Sequence, residues 1–182
     1  MAHISLPAGL PGITGLMAAY PETERHLSGL AQTLLRGQSS LTAAERELIA
    51  AHVSSGNECR FCTQSHAAAA RELYGSECAV VDLALSNPQT APLTEKMRAL
   101  LQIAGRVRQD GRLVTSEDIK RARDAGADDQ AIHDTVLIAA AFCMYNRYVD
   151  GLATWAPAGP EAYKESGVRL ATQGYVSSKP SG

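Results

Sequence analysis

From Pro21 to Tyr145 apolar residues return every three or four positions, and no stretch alternates apolar with polar residues between turn signals. A chain with that period buries its side chains along helices, so no sheet is expected. The punctuation agrees. In "PETERHLSGLAQTLLRG", Leu27, Leu30, Ala31, Leu34 and Leu35 share one helical face and Gly37 is placed to end it. Thr42 with Glu45 three residues on has the capping-box form, in which each side chain satisfies backbone donors left unpaired in the first turn. That helix closes at Gly56, and Asn57 is expected to cap another running to Gly75. A shorter helix is expected over 77–85. Thr94 can cap one whose core stripe is Met97, Leu100, Leu101, Ala104 and Val107. Thr115 with Asp118 repeats the box and leads to Gly126. The longest candidate, within 127–155, sets Ile132, Val136, Ala139, Ala140 and Cys143 on one side.

The expected fold is therefore all-α, a multi-helix bundle forming a single domain over 1–182. "ERELIAAHVSSGNECRFC" and "HDTVLIAAAFCMYNRYVDG" share an apolar helical run ahead of a polar patch, which suggests duplicated helical hairpins. The motif-bearing core spans about 42–75, and a polar tail about 176–182 is expected to fray.

Bulk properties exclude several functions. A formal net charge of -2, without a dense Lys/Arg cluster, argues against nucleic acid as a partner. The longest apolar run, Thr135–Tyr145, is about half the roughly 20 residues needed to span a bilayer, so no membrane segment is expected. The opening "MAHISLPAGLPG" lacks the basic and apolar regions of a secretory signal. A soluble, cytoplasmic protein is expected, in which four cysteines are reactive or free and not structural staples.

Chemistry concentrates in "GNECRFCTQSH". If a helix opens at Asn57, Cys59 lies in its first turn, where unpaired N–H groups and the helix dipole favour a thiolate; Arg60 would add to this and Glu58 oppose it. Cys62 is one turn further, and His66 four beyond it on the same face, able to take or give a proton near neutral pH. Helix residues three apart hold their Cβ atoms about 5–6 Å apart, whereas a disulfide wants about 3.5–4.5 Å. A Cys59–Cys62 bond formed by bending that turn would be easily reduced, as suits a bond made and broken repeatedly.

Three readings stand at this point: a redox pair, a zinc site of Cys59, Cys62 and His66 that lacks a fourth ligand, and two cysteines that merely pack. Haem attachment is out, because Thr63 follows the second cysteine where a histidine is required.

The segment "ERELIAAHVSSGNECRFCTQSH" resembles the alkylhydroperoxidase D-like group of the carboxymuconolactone decarboxylase superfamily. The group's hallmark is a glutamate, eleven residues, then Cys-x-x-Cys-x-x-x-His, and Glu47, Cys59, Cys62 and His66 fill it in order. "GLPGITGLMAAYP", "NRYVDGLAT" and "GVRLATQGY" are similar to its peroxidase-related subfamily, so the likeness covers nearly the whole chain.

The resemblance implies an all-helical fold assembled into homo-oligomers (dimer, trimer or hexamer) and a peroxidase that needs no haem, metal or other cofactor. It implies that Cys62 attacks a small hydroperoxide and becomes a sulfenic acid, that Cys59 resolves it as a disulfide, and that Glu47 and His66 relay protons with a water. It implies a dithiol reductant, in some members a lipoyl group on a carrier protein. The helix-terminus argument alone favours Cys59 as the more acidic thiol, so the two lines assign the roles differently. Phe61 stands where the original pattern has a second histidine, and the decarboxylase branch lacks the cysteine pair. A redox-sensing or stress-response oligomer, oxidised once without sustained turnover, is the rival to an enzyme.

The remaining histidines, His3, His26, His52 and His133, have no evident chemical partner in the sequence, and Cys78 and Cys143 are expected to pack. Tyr145, Asn146, Arg147 and Asp150 fit equally a pocket, a subunit contact or the internal hydrogen bonding of a long helix.

Overall fold

A computed structural model describes residues 2–176. It holds nine α-helices and no strand among those residues: α1 (Ile13–Ala19), α2 (Pro21–Arg36), α3 (Ala43–Gly56), α4 (Arg60–Tyr74), α5 (Ala79–Ser86), α6 (Glu95–Gln109), α7 (Ser116–Asp124), α8 (Asp129–Gly151) and α9 (Lys164–Gln173). Short 3-10 turns occupy Gly75–Glu77, Gly111–Leu113 and Pro160–Tyr163. The all-α expectation holds. Of the tail expected over about 176–182, residues 177–182 lie outside the described residues.

The expected caps form. The Thr42 side chain accepts from the Glu45 amide while Glu45 answers to the Thr42 amide, and Thr115 and Asp118 do the same. Thr94 accepts from the Met97 amide. Each cap contributes about 1 kcal/mol by satisfying an amide that the first turn leaves open. Arg46 closes the other end of α2, donating to the carbonyls of Leu34 and Gly37 at 3.0 Å each, a cation where the helix carries its negative pole.

α3 is the central element. Leu48, Ile49, Ala50, Ala51 and Val53 are wholly buried on it, and it packs against α4, α6, α8, α2 and α5. A helix covered on most sides needs internal partners for its polar residues, and Glu47 and Ser54 both find them. α4 is lined with small residues, Ala67 to Ala70, which let neighbouring helices approach closely. α9 uses this at Gly167, where an added Cβ would sit 2.7 Å from the Ala68 Cβ. That crossing brings Tyr175 back to α3 and α4.

Parts of the helical layout differ from the sequence expectation. α1 and α9 were not anticipated, being short and bounded by weak signals. On α8 the buried residues include Ile138, Phe142, Tyr145, Asn146 and Val149, while Ala140 is exposed. α8 is covered by α3, α6, α1 and α2 together, so its buried face is broader than one stripe and turned away from Ala140. No helix among the described residues is long and apolar enough to cross a membrane.

Candidate active site

The loop between α3 and α4 sets the position of both cysteines. Asn57 ends α3 as its C-cap, with φ -86° and ψ 0°, and does not open α4. Glu58 follows with φ 60°, a left-handed backbone that reverses the chain in a single residue. Cys59 is then the N-cap of α4, its amide tied to the Ser54 carbonyl at 3.0 Å and its carbonyl accepting the Thr63 amide at 2.9 Å. The helix thus starts two residues later than the sequence suggested, because an αL residue at position 58 cannot belong to it. Cys59 sits on the rim of the first turn and Cys62 within it.

Both thiols are free and buried, Cys59 fully and Cys62 to within 3 %. The adjacent Cys59 thiol, then burial and negative charge on Cys59, push the Cys62 thiol well above the ordinary thiol range; nearby Asn146 acts against the rise and Asp150 adds to it. Burial thus opposes ionisation at Cys62, which the sequence does not reveal. Arg60 was expected to help the thiolate. Its guanidinium instead donates to the carbonyls of Ala156 at 2.6 Å and Pro157 at 2.8 Å, holding the loop after α8.

One turn along α4, His66 meets Glu47 of α3: Nδ1 lies 2.7 Å from Oε2. Glu47 is wholly buried. Its other oxygen, Oε1, accepts from Arg36 Nη2 at 2.7 Å and from the Tyr175 hydroxyl at 2.5 Å. Burial acts to raise the Glu47 carboxyl, yet His66, Arg36 and Tyr175 together outweigh it and hold the group below the usual carboxylate range. The Tyr175 hydroxyl also lies 3.2 Å from His66 Nδ1, with the two rings stacked at 5.9 Å and 12°. Phe142 of α8 meets the His66 ring edge-on at 4.5 Å. The carboxylate engages Nδ1, which leaves Nε2 of the imidazole outside that contact.

Glu47 with His66, and Cys59 with Cys62, are thus two paired units on adjacent turns. No group of three His, Cys, Asp or Glu side chains among the described residues converges as metal ligands, so the zinc reading of Cys59, Cys62 and His66 gains no support. The sequence reading missed Arg36 and Tyr175. They stand 11 and 128 positions from Glu47 and on other elements, so helical spacing does not pair them with it. Asn146 is placed by internal hydrogen bonds, accepting from Asn57 Nδ2 at 2.9 Å and donating to Ser54 Oγ at 3.1 Å, against the Cys62 side.

A mainly apolar cavity of about 330 Å³ opens beside the site. Leu10, Ile13, Met17 and Leu170 form apolar wall, and His66 and Tyr175 bring polar atoms to it. Neither cysteine lines it. Phe61 and Tyr163 do, and they also pack in one cluster with Cys59 and Cys62. Phe61 rests on Gly12, where an added Cβ would lie 2.2 Å from the ring and the backbone has φ 55°.

Other chains share this architecture. A peroxidase-related protein from Silicibacter sp. TM1040, itself uncharacterized, is 27% identical, with a TM-score of 0.76 over 90% of this chain and 94% of its own. The alkylhydroperoxidase AhpD core of an uncharacterized peroxidase-related protein from Ralstonia eutropha JMP134 is 25% identical, with a TM-score of 0.77 over 86% of this chain and 80% of its own. A protein of unknown function from Agrobacterium tumefaciens, 20% identical with a TM-score of 0.68 over 87% of this chain and all of its own, shares the fold. No curated protein matches the chain. The sequence pattern of the carboxymuconolactone decarboxylase family matches residues 21–106, which include Glu47, both cysteines and His66. That match, with the alkylhydroperoxidase-type fold over most of the chain, bears out the resemblance drawn from the sequence.

Proposed function

We propose that the protein is a thiol-dependent peroxidase that reduces small organic hydroperoxides through Cys59 and Cys62, with Glu47 and His66 as its proton relay. The observation that carries this reading is the pair of free, buried thiols packed together at the start of α4, one turn from a histidine whose Nδ1 is engaged by a buried carboxylate. The Cys62 proton passes to His66 Nε2, directly or through a water. The resulting thiolate attacks the terminal oxygen of the hydroperoxide, the O–O bond breaks, and the alkoxide leaves with the proton that His66 returns. Cys62 is then a sulfenic acid. Cys59 attacks it, water departs, and a disulfide remains. A dithiol reductant, such as a lipoyl group on a carrier protein, restores both thiols and closes the electron balance. The cavity beside His66 suits the organic part of the hydroperoxide, because its walls are mainly apolar and its polar atoms gather near the relay.

Peroxide consumption with a dithiol donor tests the reading. Cys62→Ser is expected to abolish turnover, while Cys59→Ser consumes about one equivalent and stops at the sulfenic acid. Unchanged turnover in Cys62→Ser discards the mechanism. The opposite pattern between the two variants exchanges the roles of the thiols. If the wild-type protein forms the disulfide once and never cycles with any dithiol, the pair belongs to a redox sensor and not to an enzyme.

A further inference from the structure

We propose that Tyr175 is a positioning residue that, by giving its single hydroxyl proton to Glu47, restrains the Glu47–His66 pair from drawing the proton off Cys62 at rest. The inference rests on the proposed relay and adds a control on it from the far end of the chain.

The geometry is specific. Glu47 Oε1 takes two donors, Arg36 Nη2 and the Tyr175 hydroxyl, while Oε2 takes only His66. Two donors on one oxygen draw its charge away from the other, so the carboxylate pulls less strongly on the imidazole proton. A weaker pull leaves the ring a weaker base towards the thiol. Tyr175 remains a donor throughout, since burial first and then the Glu47 charge raise its phenol well above the ordinary range.

The residue is also fixed in place. Its amide donates to Gln32 Oε1 at 2.7 Å, and the preceding Gly174, at φ 74°, brings its Cα so close to Gln32 that an added Cβ would lie 2.3 Å from that same oxygen. The Arg36 guanidinium sits 5.3 Å from the centre of the Tyr175 ring and also holds the Leu170 carbonyl at 2.9 Å. An aromatic residue held by α2, α3 and the end of α9 is more than loose chain folded over a core.

The charged and titratable groups around His66 are few. Glu47 faces it from α3, with Arg46 on the same helix acting on that carboxylate. Arg36 stands behind Glu47 on α2, Cys62 is one turn back on α4, and Arg169 of α9 acts on Tyr175. Phe142 from α8 carries no charge.

Tyr175→Phe keeps the ring and removes the proton. The test follows alkylation of the reduced dithiol by iodoacetamide against pH, with thiolate absorbance near 240 nm and nitrogen NMR of the His66 ring; none of these needs peroxide. The expected result is faster alkylation on the neutral side, by about tenfold for one unit of displacement, with more thiolate and more imidazolium at pH 7 and an unchanged plateau at high pH. Gln32→Ala, which frees the Tyr175 amide but keeps the hydroxyl, is expected to act in the same direction by less, and carries the test if the first variant does not fold. An unchanged profile, a slower one, or a rise of equal size at every pH overturns the proposal; the last is the mark of a loosened cavity. If the displacement appears and the wild-type protein turns over no peroxide, the peroxidase reading fails and the role of Tyr175 stands.

Discussion

Glu47→Gln isolates the charge at the centre of the proposed relay. The substitution keeps the volume and one carbonyl oxygen, and removes the negative charge that Arg36 and His66 share. Arg36 is only 12% exposed at the side chain and its Nε has no partner among the described residues, so the guanidinium has little water to replace the lost anion. Removing one partner of such a pair costs about 3–5 kcal/mol, and the retained carbonyl oxygen places this case at the lower end, about 3 kcal/mol. In a chain of 182 residues that lowers Tm by about 6–12 °C.

The pH dependence has a definite sign. Glu47 is held below its ordinary value of 4.5 in the fold, so its contribution is fully present above pH 4.5 and is lost as pH falls through the lower folded value. Urea unfolding of wild type and variant should therefore show a constant gap from pH 7 down to about 5, narrowing only below about 4.5. A gap under about 1 kcal/mol at pH 7, or one that is unchanged on acidification, would refute the reasoning, because the pair would then behave as a solvated surface contact.

Other outcomes follow from the same structure. Gly12→Ala is expected to destabilise by about 2–4 kcal/mol, since the new Cβ meets the Phe61 ring and the backbone is left-handed; thermal unfolding checks it, and a loss under 1 kcal/mol is inconsistent with the contact. Phe61→Ala should expose the dithiol to the cavity, raising its alkylation rate at a cost of about 3 kcal/mol, and alkylation no faster than wild type would show that the ring shields nothing. Thr42→Ala removes one capping box and should cost about 1 kcal/mol in urea unfolding. In the reduced wild-type protein the Cys62 thiol should remain protonated at pH 9, as read by thiolate absorbance with Cys59 replaced by Ser and without it; the Cys59→Ser form should ionise at lower pH, because charge on Cys59 is one cause of the elevation.

Local signals were enough for much of this molecule. Helical period, the Thr42–Glu45 and Thr115–Asp118 boxes and the Thr94 cap mark helix starts through interactions that close within three residues, and such interactions are written in adjacent letters. Cys59, Cys62 and His66 likewise stood together in one short segment, and the resemblance put Glu47 with His66 before any coordinates. Tertiary structure decided the rest. The left-handed Glu58 moved the start of α4 to Arg60, and the neighbouring Cys59 together with burial beside Phe61, Val149 and Tyr163 set the Cys62 thiol against ionisation. Tyr175 reaches Glu47 because α9 crosses α4 at Gly167, and Arg36 reaches it from the end of α2. A sequence determines contacts that lie within a turn or two. Charge, solvent exclusion and partners drawn from opposite ends of the chain depend on how the helices pack, and those fix the proton balance on which the chemistry turns.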